Sequence, residues 1–218
     1  TDQIANLIRE MATRQGLGGI LALGMDRAAG HLGLEDLAVQ VKGMEPAGYD
    51  PRVLKGMGLA YAVSTRGACH LRASFHRAEL SGHADADDPA GLVRAFLEHE
   101  DVCTVMDCLI LCRFFRKIYA RELPRIVSLS TGLDPDMSAL RATAAEIMDQ
   151  IRSINLSQGI TADSDRLPQR LTRQALPDGS RISQEEMEVM VGEYYRQRGW
   201  DAQGVPMAVA ASQSPLPK

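Results

Sequence analysis

Asp107-Cys108-Leu109-Ile110-Leu111-Cys112 sets a carboxylate and a thiol at the two ends of an apolar run, followed by Arg113, Phe114 and Phe115. Burying an unpaired charge is costly and a thiolate is a soft metal ligand, so both end groups call for partners. A single cysteine does not hold a metal cluster. Either its co-ligands lie elsewhere, in this chain or on another piece, or it is a small core residue. The other cysteines are Cys69, Cys103 and Cys108, and no two of the four are spaced Cys-x-x-Cys. A self-contained zinc or iron–sulfur site is therefore weakly supported. With no export signal visible, reduced thiols and a cytoplasmic location are expected.

The second stretch with chemical content is Ser64-Thr65-Arg66-Gly67-Ala68-Cys69-His70-Leu71-Arg72. An imidazole among guanidinium groups suits an anionic ligand such as phosphate or carboxylate. A surface basic patch or a hydrogen-bonded core histidine accounts for the same residues. His76, His83 and His99 have no comparable setting in the sequence.

These residues must be positioned by helices. Ile4, Leu7, Ile8 and Met11 form one helical stripe over residues 3–15, with Asp2 as N-cap and Gly16 as the stop. A second helix is predicted from Gly19 to Leu32, ending at Gly33. Leu37, Val39 and Val41 alternate with Ala38 and Gln40, the pattern of a short extended segment. Asp50-Pro51, Asp88-Pro89 and Asp134-Pro135 each read as an N-cap followed by a first helical proline. Gly56, Gly58, Ala60 and Ala62 in the helix after Asp50 imply close approach, either to another helix or to a ligand. Val102–Tyr119 is apolar on nearly every side and reads as a central, buried helix or pair of helices. Residues 155–182 form a long polar surface arm. Ser183 and Glu186 frame a capping box that opens a last helix ending at Gly199. Residues 207–218 should be loose. The expected architecture is all-α, an irregular multi-helix domain.

The 218 residues suffice for one well-buried core, and the net charge of −4 with no Lys/Arg-rich face argues against nucleic-acid binding. No apolar run is long enough to span a bilayer. The chain opens with Thr1-Asp2-Gln3 instead of an initiator methionine, so it is expected to be processed or a fragment.

Several segments together resemble one family. They are Lys42-Gly43-Met44-Glu45, Tyr49-Asp50-Pro51-Arg52, Lys55–Ala62, Thr65–Arg72, Asn155…Gly159-Ile160-Thr161, Asp165–Arg170, and Glu193-Tyr194-Tyr195…Arg198-Gly199-Trp200-Asp201…Gly204-Val205-Pro206. In this order and spacing the chain resembles the C-terminal region of the tungsten-containing aldehyde ferredoxin oxidoreductases. The resemblance implies that residues 1–46 end the family's middle domain and that 47–206 form its C-terminal domain. It implies a tungsten or molybdenum bis-pyranopterin beside a 4Fe–4S cluster, and oxidation of a small aldehyde to a carboxylic acid. Ferredoxin or another electron-transfer protein would then take the electrons; a homo-oligomer is also compatible.

Residue by residue, the pterin motif Asp-x-x-Gly-Leu-Cys/Asp falls on Asp107–Cys112, with Ile110 where the family usually has glycine. By resemblance Asp107 and Leu111 belong to the pterin motif, Cys112 ligates the cluster, His70 is the catalytic proton donor or hydrogen-bond partner, and Arg72 contacts the cofactor. Were the segment one continuous helix, five residues would turn about 140° and give Asp107 and Cys112 different neighbours. The family's other cluster cysteines and first pterin motif lie upstream of the matched region. A missing N-terminal part or a companion subunit would thus complete the site. The alternatives are a family relative that acts on aromatic thioesters and a non-catalytic helical scaffold domain.

Overall fold

The computed structural model describes residues 2–85 and 87–207; from residue 208 on, the tail expected to be loose lies outside them. Ten α-helices are described: α1 (Asp2–Thr13), α2 (Gly16–Leu21), α3 (Met25–Leu32), α4 (Lys55–Val63), α5 (His76–Leu80), α6 (Pro89–Cys108), α7 (Arg116–Thr131), α8 (Met137–Ser157), α9 (Gln169–Arg173) and α10 (Gln184–Arg198). Among the described residues there is no strand, only isolated bridges such as Val41 to Met44, so the architecture is all-α. The extended segment expected near Leu37–Val41 finds no partner strand to pair with.

The centre of the molecule is α4, buried from Gly56 through Val63. Its small residues serve helix packing. A Cβ on Gly56 would come within 2.7 Å of the Phe75 ring, and one on Gly58 would press on Ile182 and Met187. Asp50 does not cap this helix. It folds back on Arg52, and the N-terminus of α4 is satisfied from a distance by the Glu79 carboxylate, which accepts from Gly56 N (2.6 Å) and Met57 N (3.0 Å). Phe75, Phe96, Met187, Tyr194 and Trp200 close the core around α4. A second core, Val105, Met106, Leu123, Val127, Leu140 and Ala144, joins the end of α6 to α7 and α8.

Local signals fix several helix ends. Asp88 caps α6 through Gly91 N, with Pro89 at its first position, and the Ser183–Glu186 capping box is complete. The cap of α8 is Asp136, two residues beyond Asp134, because its carboxylate reaches Ala139 N at 2.7 Å. The helix predicted over Gly19–Leu32 is broken into α2 and α3 at Gly24, whose φ of +87° interrupts the helical hydrogen bonding. α1 lies against α2 closely enough that a Cβ on Gly18 would meet Glu10 Cβ at 2.3 Å. The apolar stripe of α1 remains open: Ile4, Ile8 and Met11 are exposed.

One buried polar knot links the distant segments. Asp165 receives Lys42 Nζ (2.6 Å), Arg152 Nη1 (2.8 Å) and the Tyr195 hydroxyl. Lys42 Nζ also donates to Ala62 O and Ser64 O, and Arg152 Nε to Gly204 O. The guanidinium of Arg152 lies over the Tyr195 and Trp200 rings. The knot fixes the end of α4, where the chain turns toward His70.

Candidate functional site

Two turns build the site. The first carries His70 and Arg72. Gly67 has φ +102°, and a Cβ there would lie 2.3 Å from Val41 O, so the turn rests directly on the Val41–Met44 backbone and admits only glycine. Asn155 Nδ2 fastens it by donating to Thr65 O at 2.7 Å. Next to His70, the buried Cys69 accepts from Arg66 Nη2 at 2.9 Å. Burial raises the Cys69 thiol pKa, but Arg66 and the backbone N–H groups of Leu71 and Arg72 outweigh it and hold the thiol below its usual range.

The second turn ends α6. Ile110 N donates to Asp107 O (3.1 Å) and Leu111 N to Met106 O (2.9 Å), the double closure of a helix whose next residue adopts a left-handed conformation. That residue is Ile110, with φ +56°. The segment Asp107–Cys112 is therefore not one continuous helix. Asp107 and Cys112 are separated by a chain reversal, not by rotation along a helix. The buried character expected of Val102–Tyr119 fails at the same place, because the reversal leaves Ile110 92% and Phe114 96% exposed.

The conformation also explains why this position favours glycine: a β-branched residue in the left-handed region costs about 1–2 kcal/mol. Since the Ile110 side chain is in solvent, Ile110→Gly should stabilise the chain by about 1 kcal/mol net of the added unfolded-state freedom. Thermal or urea unfolding checks this, and a destabilised glycine variant would mean that the isoleucine makes a contact worth more than the strain.

The two turns meet at Asp107. Its Oδ2 accepts from Arg72 Nη1 at 2.7 Å and lies 2.7 Å from Arg113 Nη2. Arg113 sits at ion-pair distance without hydrogen-bond alignment. Its Nη1 and Nη2, together with Arg72 Nε, are buried and lack an acceptor among the described residues. The carboxylate itself is partly exposed. Cys112, five residues on, is exposed, as is Cys108, whereas Cys69 and Cys103 are buried.

His70 stands beside Tyr49, ring centroids 5.9 Å apart, and Tyr49 stacks on His76 at 4.1 Å. Behind them lies His99, on α6. Burial first, then the charges of Arg116 and Arg113 and the nearby His76, push the His99 imidazole down to about 4. His76 is lowered by burial and by Arg77, Arg116 and His70. His76 Nδ1 and His99 Nε2 are buried and have no partner among the described residues. These two histidines were not distinguished by sequence. The one usable signal was that His99 precedes Asp107 by eight positions on the same helix, within about 80° around its axis.

Arg113 connects the sets, pairing with Asp107 and weighing on His99. The arrangement is a clamped carboxylate and an exposed thiol on one reversal, near guanidinium and imidazole nitrogens that lack hydrogen-bond partners among the described residues. Among the described residues no group of three or more His, Cys, Asp and Glu side chains is arranged to hold a metal ion. The donor set fits one edge of an anionic centre shared with other protein, not a complete cage. A polar concavity of about 700 Å³ lies elsewhere, lined in part by Asp26, Gln40, Arg166 and Arg170, and includes neither His70, Arg72, Asp107 nor Cys112. Among the described residues no helix is long and apolar enough to cross a membrane.

Comparison with known proteins bears on what completes this edge. The family model described as "Aldehyde ferredoxin oxidoreductase, domains 2 & 3" matches residues 1–213. The tungsten-containing aldehyde ferredoxin oxidoreductases of Pyrococcus furiosus and Thermococcus kodakarensis are each 28% identical to this chain over 211 residues. That alignment covers 94% of this chain and 35% of theirs, so the chain spans about a third of the length of the curated relatives it matches. Among solved structures, the active site complex BamBC of benzoyl coenzyme A reductase, in complex with 1,5-dienoyl-CoA, superposes with a TM-score of 0.64 at 16% identity, over 94% of this chain and 37% of that one. At that identity the likeness is one of fold.

Proposed function

This chain belongs to the aldehyde ferredoxin oxidoreductase family, and on that premise we propose that it supplies one wall of a tungsten or molybdenum bis-pyranopterin centre and one ligand of an adjoining 4Fe–4S cluster. The observation that carries the reading is the pairing of Asp107, held by Arg72 and Arg113, with an exposed Cys112 on the same reversal. The bound centre supplies the redox chemistry, taking two electrons from an aldehyde and water as a carboxylic acid forms.

The chain's own residues do the rest. Asp107, its Oδ2 committed to the arginines, keeps Oδ1 free to accept N–H groups of a pterin ring and thereby set its orientation. Arg72 and Arg113 hold that carboxylate in place, and their positive charge would favour an anionic cofactor bound beside it. Leu111 follows the reversal, and its N–H bond to Met106 O aligns the backbone leading to Cys112, whose thiolate is one of the four a cluster needs. His70, on the glycine-braced turn and against Tyr49, is the group that exchanges a proton with the substrate oxygen. The remaining ligands and the second pterin contact come from protein outside this chain.

The test uses the full-length protein with any companion subunit. Tungsten or molybdenum together with about four irons per chain is expected, with aldehyde-dependent reduction of a viologen dye. His70→Asn should lower kcat by roughly 10²-fold or more while leaving metal content unchanged. A metal-free preparation, or unaltered kinetics in the His70 variant, contradicts the assignment.

A further inference from the structure

Two imidazoles behind His70 carry buried nitrogens that nothing above employs. His76 opens α5, and His99 sits on α6. Their neighbours hold both rings in place. Phe75, fully buried, precedes His76 and packs edge-on against the His99 ring at 5.8 Å. Three residues after His76, Glu79 ties α5 to the first N–H groups of α4. The Tyr49 ring lies between His70 and His76, tilted against the first at 5.9 Å and stacked on the second at 4.1 Å. Buried polar atoms are almost always hydrogen-bonded, to protein or to ordered water. His76 Nδ1 and His99 Nε2 are buried and have no partner among the described residues. Nitrogens so placed suit a bridging water, and an imidazole can take up a proton and hand it on.

We propose that His76 carries off the proton that His70 takes up, receiving it at Nδ1 through a bound water. The proposal rests on the reading of His70 as the proton-exchanging group. Oxidation of an aldehyde with water to a carboxylate delivers two electrons to the bound centre and releases three protons. His70 takes no second proton until it has lost the first, so each turnover needs an exit. In the relay the proton leaves His70 for the water, the water gives up another to His76 Nδ1, and His76 releases one to solvent. The charged and titratable groups that bear on His76 are Tyr49, His70, Arg77, Arg116 and His99, with no carboxylate among them. Nothing in that set stabilises an imidazolium, so the proton is passed on and not retained. His99, which burial and then Arg116 and Arg113 press down to about 4, stays uncharged and is a hydrogen-bonding partner, not a carrier.

The experiment compares the full-length enzyme with its His76→Gln variant, using a viologen dye as electron acceptor. Glutamine keeps hydrogen-bonding groups but carries no proton. Steady-state kcat of the variant should fall roughly tenfold or more. Metal content should stay unchanged, and so should the rate at which one aldehyde reduces the bound centre in a single turnover. Added imidazole should restore most of the lost kcat, and the solvent deuterium isotope effect on kcat should rise. His76→Phe, which keeps a ring against Tyr49, should show the same loss and the same rescue. A glutamine variant with full kcat overturns the proposal, because the nitrogen then only holds a hydrogen bond. So does a loss that imidazole fails to restore, or a loss of metal, either of which makes His76 structural. If the metal-loaded, unmodified enzyme oxidises no aldehyde, or His70→Asn leaves turnover unaltered, the functional reading falls, and this proposal with it.

Discussion

Asp165→Ala is expected to destabilise the fold by roughly 3–5 kcal/mol, the range for removing one partner of a buried ion pair. Asp165 is the anion paired with both Lys42 and Arg152 and accepts from the Tyr195 hydroxyl, and all these groups are buried or nearly so. Without it two cations face each other in the interior. Burial already lowers the Lys42 pKa, and Asp165 is the largest influence working against that lowering. The variant's folded state therefore binds Lys42's proton still more weakly while the unfolded chain keeps its ordinary affinity. Stability then rises with pH wherever the unfolded state holds more protons, so the deficit should shrink as the solution becomes more alkaline. Urea unfolding at several pH values reads both effects. A loss below about 1 kcal/mol, or a deficit that grows with pH, contradicts the knot's assigned role. Because Lys42 also holds Ala62 O and Ser64 O, the damage should reach the His70 turn and appear as lowered cofactor retention.

Asp107→Ala should have a comparably large effect of another kind. In the full-length protein, tungsten or molybdenum content should fall at least roughly tenfold, since the outer-shell and orienting partners of a metal site typically govern affinity at that level. Arg72 and Arg113 would lose their shared anion, spread apart, and leave the pterin without its orienting acceptor. Folding should suffer little, about 1 kcal/mol, because these ion pairs are partly exposed. Asp107→Asn keeps an acceptor but not the charge and should retain an intermediate amount of metal. Undiminished loading of the alanine variant would show that the carboxylate only ties the two turns together.

Features encoded within a few residues were legible in the sequence. Asp88-Pro89, the Ser183–Glu186 box and the stop at Gly199 appear where local chemistry puts them. The all-α class follows from the helical periodicity, and the small residues of α4 correctly signalled close approach, which the structure assigns to Phe75, Ile182 and Met187. What stayed hidden depends on partners distant in sequence. Nothing near Leu37–Val41 shows that the described residues hold no second strand to pair with it. Nothing near Lys42 reveals Asp165, nor does the setting of His99 reveal Arg113 and Arg116. At the site, the residue types of Asp107–Cys112 were readable but their path was not. An apolar run suits a buried helix, whereas a left-handed residue at Ile110 reverses the chain and exposes it. Isoleucine at that position conceals the turn that glycine would have announced.

We assign this reversal one ligand of the cluster, Cys112. Iron per chain in full-length Cys112→Ser and Cys108→Ser measures it most directly, since both thiols are exposed and lie four residues apart on the same segment. The Cys112 variant should lose most of its iron and the absorption and electron-spin signals of a 4Fe–4S cluster, while the Cys108 variant keeps its full complement. Equal iron in the two variants, or loss in the Cys108 variant alone, would contradict it.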